Sequence, residues 1–350
     1  MHAMPIIVVT VISGLLLGAT HAAAQEPPEL VVLNWPNYLD PELVERFEQQ
    51  HGAKIREVYF EGDDQRDEML VNSDGAGYDV VLVSGNMLQT YVRSGWLEPM
   101  TEKQVPNLVH VSPRWRTAFA AADGFAAPYT WGTLGIGYRE DLVPEPIESW
   151  MQIFRPDPML RGRIAMLSHN RDLVGMALMA LGHSSNTQDE HELLQAEELL
   201  LAQRPHVRTY GYIGLTPDSA MVSGEIAASM MFNGDALMLQ EFEPRIRFIV
   251  PREGGNLWVD YFAVMSRSPR KDIAFAFVDF LNEPENAAQA AQFVYYATTN
   301  ESARRLLPED FMADPVIHPS PETLERSEFF EPLPPRITRR YNSITANVVR

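Results

Sequence analysis

The sequence predicts an α/β protein of two lobes, each built on a mainly parallel sheet flanked by helices. Three observations predict it. Strand-like and helix-like patterns alternate from residue 30 onward with short polar joins, the rhythm of parallel strands covered by helices. A glycine-marked stretch, Gly132 to Gly137, separates that unit from a second of the same kind. And 350 residues with 45% apolar content suffice for two domains with substantial cores.

In chain order, Leu30 to Asn34 reads as a short apolar strand. Asp40 then fits an N-cap, Pro41 the first turn and Gly52 the stop of a helix that turns Leu43, Val44 and Phe47 to one face. Lys54 to Phe60 reads as a second strand, Gln65 to Asn72 as a helix, and Tyr78 to Val83, between Gly77 and Gly85, as a buried third strand. Ligands of such sheets sit beyond the carboxyl ends of the strands. Those ends hold Asn34-Trp35-Pro36-Asn37-Tyr38 and Ser84-Gly85-Asn86. Thr133 to Tyr138 is strand-like and lies in the connection between lobes. Arg163 to Leu167 predicts a strand, Asp172 to Leu181 a helix, and Thr187 the cap of a long amphipathic helix that Pro205 ends. Ile226 to Phe232 leads into Asn233-Gly234-Asp235. Ile246 to Pro251 and Leu257 to Met265 read as strands, and Ile273 to Leu281 as an amphipathic helix. Pro308 to Pro335, rich in proline and charge, predicts surface-running chain.

Composition narrows the function. With 28 basic and 47 acidic residues the formal charge is -19, which argues against a phosphate-backbone partner, so no nucleic acid is expected. The absence of cysteine removes disulfides, thiolate metal sites, a thiol nucleophile and a lipid-bearing N-terminal cysteine. Pro5 to Ala19 is an apolar run followed by small residues at Ala22 and Ala24, the pattern of a secretory signal over residues 1–24. A free periplasmic protein is the expectation. The motifs of serine hydrolases, zinc proteases and nucleotide-binding loops are absent from the sequence, and no cofactor or metal is expected. His183 and His191 lack zinc-ligand spacing and are expected to be exposed.

Aromatic and acidic side chains cluster where strands end: Trp35 with Tyr38, Phe232 with Asp235, Trp258 with Asp260, Tyr295-Tyr296, and Asp172 at a helix start. An alkyl chain with ammonium ends needs that combination. Rings cover its methylenes and attract its cations, while carboxylates at fixed separation neutralise it.

The motifs Leu33-Asn34-Trp35-Pro36-Asn37-Tyr38, Tyr78 to Ser84, Pro128-Tyr129-Thr130-Trp131-Gly132, Met231-Phe232-Asn233-Gly234-Asp235, Pro251 to Gly255, Trp258-Val259-Asp260 and Tyr295 to Asn300 resemble, in this order, those of the periplasmic polyamine-binding proteins. These are receptors of ATP-driven (ABC) transporters within the two-lobed extracellular solute-binding proteins. The resemblance implies the type II periplasmic binding fold, with residues 29–133 and 259–304 in one lobe, 134–258 and 305–350 in the other, and a hinge near 133 and 258. It implies Trp35, Tyr38, Trp258 and Tyr296 as aromatic walls, Ser84 as a polar contact, Asp260 as the acid for one amine, and Asp235 with Asp172 for the other. It also implies a membrane permease as partner and a monomer that breaks no bond.

Several positions depart from the family pattern. Asn37 stands where putrescine-type members have Asp, Asn86 where spermidine-type members have Tyr, Phe232 where Trp is usual, and Phe330 in place of a Gln. His169 replaces an additional Asp of spermidine-type members. A neutral imidazole there removes one negative charge and favours a shorter, putrescine-like diamine over spermidine. Three rival readings stay open. One is a receptor for another cationic solute, such as an opine-like compound or an amino acid whose carboxylate Arg171 would meet. Another is a secreted hydrolase using Asp235 and Asp260. The third is a signalling role with a sensor as partner.

Overall fold

The computed structural model describes residues 27–350, so the expected secretory signal at 1–24 lies outside the described residues. Among the described residues there are eleven strands: β1 Glu29–Asn34, β2 Lys54–Tyr59, β3 Val80–Ser84, β4 Ala126–Arg139, β5 Ile164–Met166, β6 Val207–Tyr210, β7 Ala228–Phe232, β8 Ile246–Ile249, β9 Asn256–Val264, β10 Ala297–Thr298 and β11 Glu328–Phe329. They join in the order β2-β1-β3-β9-β4-β7-β5-β6, with β8 and β10 also on β4 and β11 on β9. β1 pairs in parallel with β2 and β3, and β5 with β6 and β7. Those are the two parallel blocks that the strand-helix rhythm predicts. The long strands between them run antiparallel to their neighbours, because they return from one block to the other.

The connection between lobes is a continuous strand rather than a loop. β4 pairs with β9 up to Thr133 and with β7 from Leu134, the register passing through Gly132 opposite Trp258 and Leu134 opposite Phe232. A register shift between Pro128 and Trp131 interrupts the first half and re-aims Thr130, as bulges do.

Two large apolar cores flank this crossing. The first gathers β1, β3, β9 and the helices Pro41–His51 and Lys271–Leu281, with Val80 to Val83 fully buried. The second gathers Leu134, Ile136, Trp150, the helices Asn170–Ala180 and Glu190–Gln203, and the C-terminal helix Pro335–Val349. The expected surface-running segment is more structured than its proline content suggests. Ile317 enters the first core with Phe311, Val316, Leu324 and Phe329 against it, while Phe330 enters the second. Among the described residues no helix is long and apolar enough to cross a membrane.

Local chemistry explains most boundaries. The Asp40 carboxylate accepts from the N–H of Glu42 at 2.8 Å, and Gly52 ends that helix in the left-handed region. The long second-lobe helix departs from expectation. Its cap is Asp189, which accepts from His191 and Glu192, while the Thr187 hydroxyl is used on the Glu192 side chain. His191 is exposed as expected, but His183 is half-buried and bonded to Gln195 at 2.9 Å.

Close approach of the lobes depends on Gly234. A Cβ there would lie 2.5 Å from Cε1 of Tyr296 and 2.7 Å from the Val294 carbonyl oxygen. Both belong to chain packed on the first core, so any side chain would wedge the lobes apart. Gly234→Ala, despite its better helix propensity, is expected to lose roughly 1–3 kcal/mol of stability by overpacking. Denaturant unfolding checks this, and an unchanged midpoint would show that the lobes are not in contact there.

Candidate functional site

The cleft is built where parallel strands end. After β1 come Trp35 and Tyr38, after β3 Ser84, after β5 His169 and Asp172, and after β7 Asp235. Two further strands deliver residues that the sequence reading did not single out. β2 is followed by Asp63, in the first turn of the helix Asp63–Ser73, and β6 by Tyr212. The rule used for β1 and β3, that ligand contacts follow strand ends, would have found both had it been carried to every strand.

The rings form an unbroken series from one lobe to the other. Trp35 lies 4.4 Å from Phe60 and 5.8 Å from Tyr212 between centroids. Tyr212 stacks at 6.4 Å and 24° on Phe232, Phe232 meets Trp258 edge-on at 5.9 Å, Trp258 meets Tyr296 at 4.7 Å, and Tyr296 meets Tyr38 at 6.0 Å. Such tilted contacts suit the ring quadrupoles. The indole N–H of Trp258 is buried without a hydrogen-bond partner.

Carboxylates sit among these rings. The Tyr38 hydroxyl lies 2.9 Å from Thr130 Oγ1 in the re-aimed segment of β4 and donates to Asp260 at 3.0 Å, and Tyr296 donates to Asp235 at 2.9 Å. Ser84 stands opposite Asp260 in the β3–β9 register and donates to Asp63 at 3.5 Å. Asp63 is also held at 2.7 Å by Arg66, whose side chain is fully buried. Burial, then the charge of Asp63, pushes the Asp260 carboxyl up to about 7 against the hydrogen bonds from Tyr38 and Ser84 and the charge of Arg66. Burial likewise pushes Asp235 up to about 6, against the Tyr296 hydroxyl and the Phe232 backbone. Both acids are therefore strained toward neutrality, for want of positive charge.

His169 corrects an expectation. It occupies the N-cap position of the helix Asn170–Ala180, makes no capping bond, and turns Nδ1 to within 3.3 Å of Asp172. Burial opposes its charge, yet the bond and charge of Asp172, then Asp63 and Asp64, raise it to about 9. The imidazole expected to be neutral is thus biased toward its protonated form, because Asp172 contacts it and Asp63 and Asp64 face it.

Arg171 does not meet the role of a carboxylate anchor. Its guanidinium donates to the Glu331 carbonyl at 2.7 Å and to Asn186 at 2.6 Å, and lies over the rings of Phe330 and Tyr341. It is committed to holding the C-terminal segment. Phe330, accordingly, is a core residue of the second lobe. Asn37 is exposed with φ 57°, a conformation asparagine tolerates, and Asn86 is half-buried in the turn Gly85–Met87. The structure joins neither to the cleft carboxylates by a hydrogen bond.

Residues 42–319 match the family model described as bacterial extracellular solute-binding protein. The chain belongs to that family. Among curated relatives of this solute-binding protein, the spermidine/putrescine-binding periplasmic protein of Escherichia coli (strain K12) is 28% identical over 317 residues, 90% of either chain. The norspermidine sensor of Vibrio cholerae is 32% identical over 292 residues, 83% of this chain and 80% of that one. The crystal structure of the spermidine/putrescine ABC transporter substrate-binding protein of Streptococcus pneumoniae superposes with a TM-score of 0.78 at 28% identity, covering 92% of this chain and 98% of that one. The two-lobed fold is thus shared along nearly the whole length.

The raised acids make a stability prediction for the ligand-free solute-binding protein. Asp260 binds its proton more tightly folded than unfolded, so its contribution is present in full below pH 3.8 and is lost as pH climbs through about 7. The difference corresponds to about 4 kcal/mol at most. Asp260→Asn is therefore expected to raise the melting temperature at pH 8 and to leave it nearly unchanged near pH 4. An equal effect at both values would show that the carboxyl is not strained.

Proposed function

We propose that this protein is a periplasmic receptor that captures a polyamine by lobe closure and delivers it to the permease of an ATP-driven transporter. The observation that carries the reading is the buried carboxyl of Asp260 and the half-buried carboxyl of Asp235, each held by a tyrosine hydroxyl within one series of rings. An oligomethylene diamine complements that arrangement. One ammonium would lie at Asp260 with Asp63 and Ser84, the other at Asp235, and the methylenes against Trp35, Phe232, Trp258 and Tyr296. The similarity to spermidine/putrescine-binding proteins supports the same class of ligand.

Closure follows from charge. We assign residues 29–133 and 259–304 to one lobe and 134–258 with 305–350 to the other, hinged where β4 and β9 cross. Asp260 and Asp235 then belong to chain on opposite sides of the hinge, and only the closed form offers both to one ligand. A dication stabilises that form by its differential affinity. We take the protein to act as a monomer.

Within the class we favour a putrescine-like diamine. The imidazolium of His169 already neutralises Asp172, so this end of the cleft lacks the net negative charge that a third ammonium requires. His169→Asp is expected to improve spermidine affinity about tenfold or more, by removing one cation and adding one anion, with little change for putrescine. Calorimetric titration of both amines decides, and equal affinities before and after would remove His169 from the specificity argument.

The acids give the pH dependence. Aliphatic amines stay protonated up to about pH 10, whereas Asp260 and Asp235 take up protons near 7 and 6. Putrescine affinity is expected to be highest above pH 7.5 and to fall steadily toward pH 5.5, with proton release on binding in between. A melting screen of putrescine, cadaverine, agmatine, spermidine and spermine at pH 8 tests the class itself. A transition moved by none of them, and moved instead by an anion or a sugar, would sink the reading. The norspermidine sensor among the relatives supports a second reading, in which the closed form signals to a membrane sensor. Loss of polyamine uptake on deletion separates transport from sensing.

A further inference from the structure

We infer that Tyr212 is the roof of the cleft, a residue that determines how long and how selectively a di-ammonium ligand is held. The inference rests on the polyamine reading above and extends it to a residue outside the resemblance. Tyr212 follows β6 directly. Gly211 adopts φ +138°, a conformation reserved for glycine, and its N–H is tied to the Met166 carbonyl of β5 at 2.8 Å. That turn carries the next side chain over the cleft. Its ring reaches both walls, 5.8 Å from Trp35, which packs on the first core, and 6.4 Å from Phe232 on the second strand block, nearly parallel to the latter.

The surroundings say what the ring is for. Tyr212 is 47% exposed, so it contributes little to either core. The following apolar residues, Ile213 and Leu215, pack instead on the small cluster around Met221 and Phe248 and fix the base of the loop. Partial enclosure of the half-exposed ring between Trp35 and Phe232 first, and then the carboxylates of Asp172, Asp63, Asp235 and Asp260, push the Tyr212 phenol above its usual range. Acids from both lobes thus converge on the place over which this ring lies. An ammonium drawn there meets an aromatic face on its open side, which attracts it and blocks its exit.

The test uses the full mature protein with putrescine and spermidine, measured by calorimetry and by stopped-flow dissociation. Tyr212→Ala is expected to weaken putrescine about tenfold, mostly through faster dissociation, and to narrow the preference for putrescine over spermidine. The ligand-free melting temperature should stay within a degree or two of wild type, since the side chain is half in solvent. Tyr212→Phe keeps the ring and should hold putrescine within about twofold. Wild-type affinity and dissociation rate in Tyr212→Ala would overturn the roof. So would Tyr212→Phe losing as much as Tyr212→Ala, which would assign the effect to the hydroxyl alone. Failure of the wild-type protein to bind any polyamine is a separate outcome, and it would overturn the polyamine reading together with this inference.

Discussion

Carboxylates held out of water without a matching cation are the constraint around which this molecule is arranged. Asp260 is buried and Asp235 half-buried among aromatic rings, and each receives a phenolic hydrogen bond that lessens the cost of its desolvation without cancelling it. Tyrosine suits this place because its ring belongs to the apolar wall and its hydroxyl to the acid. The same group therefore shapes the slot and keeps it poised for positive charge. Some other buried acids do meet a cation within the chain: Asp79 lies 3.1 Å from Arg270. Glu243 likewise meets Arg245 at 2.6 Å and Arg139 at 3.4 Å. Asp260 and Asp235 have tyrosine hydroxyls where those acids have cations.

The backbone architecture explains why these groups meet. Six parallel strands, β1, β2, β3, β5, β6 and β7, release their chains toward one gap, and the residues immediately after them supply rings, acids and the imidazole of His169. Three of the acids, Asp63, Asp172 and Asp235, lie in the first turns of helices. There the helix dipole lessens the cost of a carboxylate. The continuous strands β4 and β9 tie the two blocks together, passing from one to the other at Gly132 and Trp258.

Particular residues show how far the sequence could be read. The order of strands and helices, the Asp40 cap, the Gly52 stop and the ring-and-acid clusters at 35–38, 232–235, 258–260 and 296 are local signals, and each is found where periodicity and turn chemistry place it. Thr187 and Asp189 compete for one cap within three residues, and the choice fell to the side chain that reaches two backbone N–H groups. Arg171 and His169 are neighbours with opposite fates. One is drawn into the second core by Phe330 and Tyr341, and the other is turned toward acids of the first lobe.

By itself the sequence determined the strand-helix rhythm, the family, the absence of thiol chemistry and most of the side chains that line the cleft, since all of these follow from near neighbours in the chain or from motifs. Tertiary structure alone decided the charge of His169, the raised acidity constants of Asp235 and Asp260, the recruitment of Asp63 and the reach of Tyr212 to Trp35. Those properties depend on contacts between segments from 21 to 222 residues apart, and on how much water the surrounding chain excludes. Local pattern carries no measure of either.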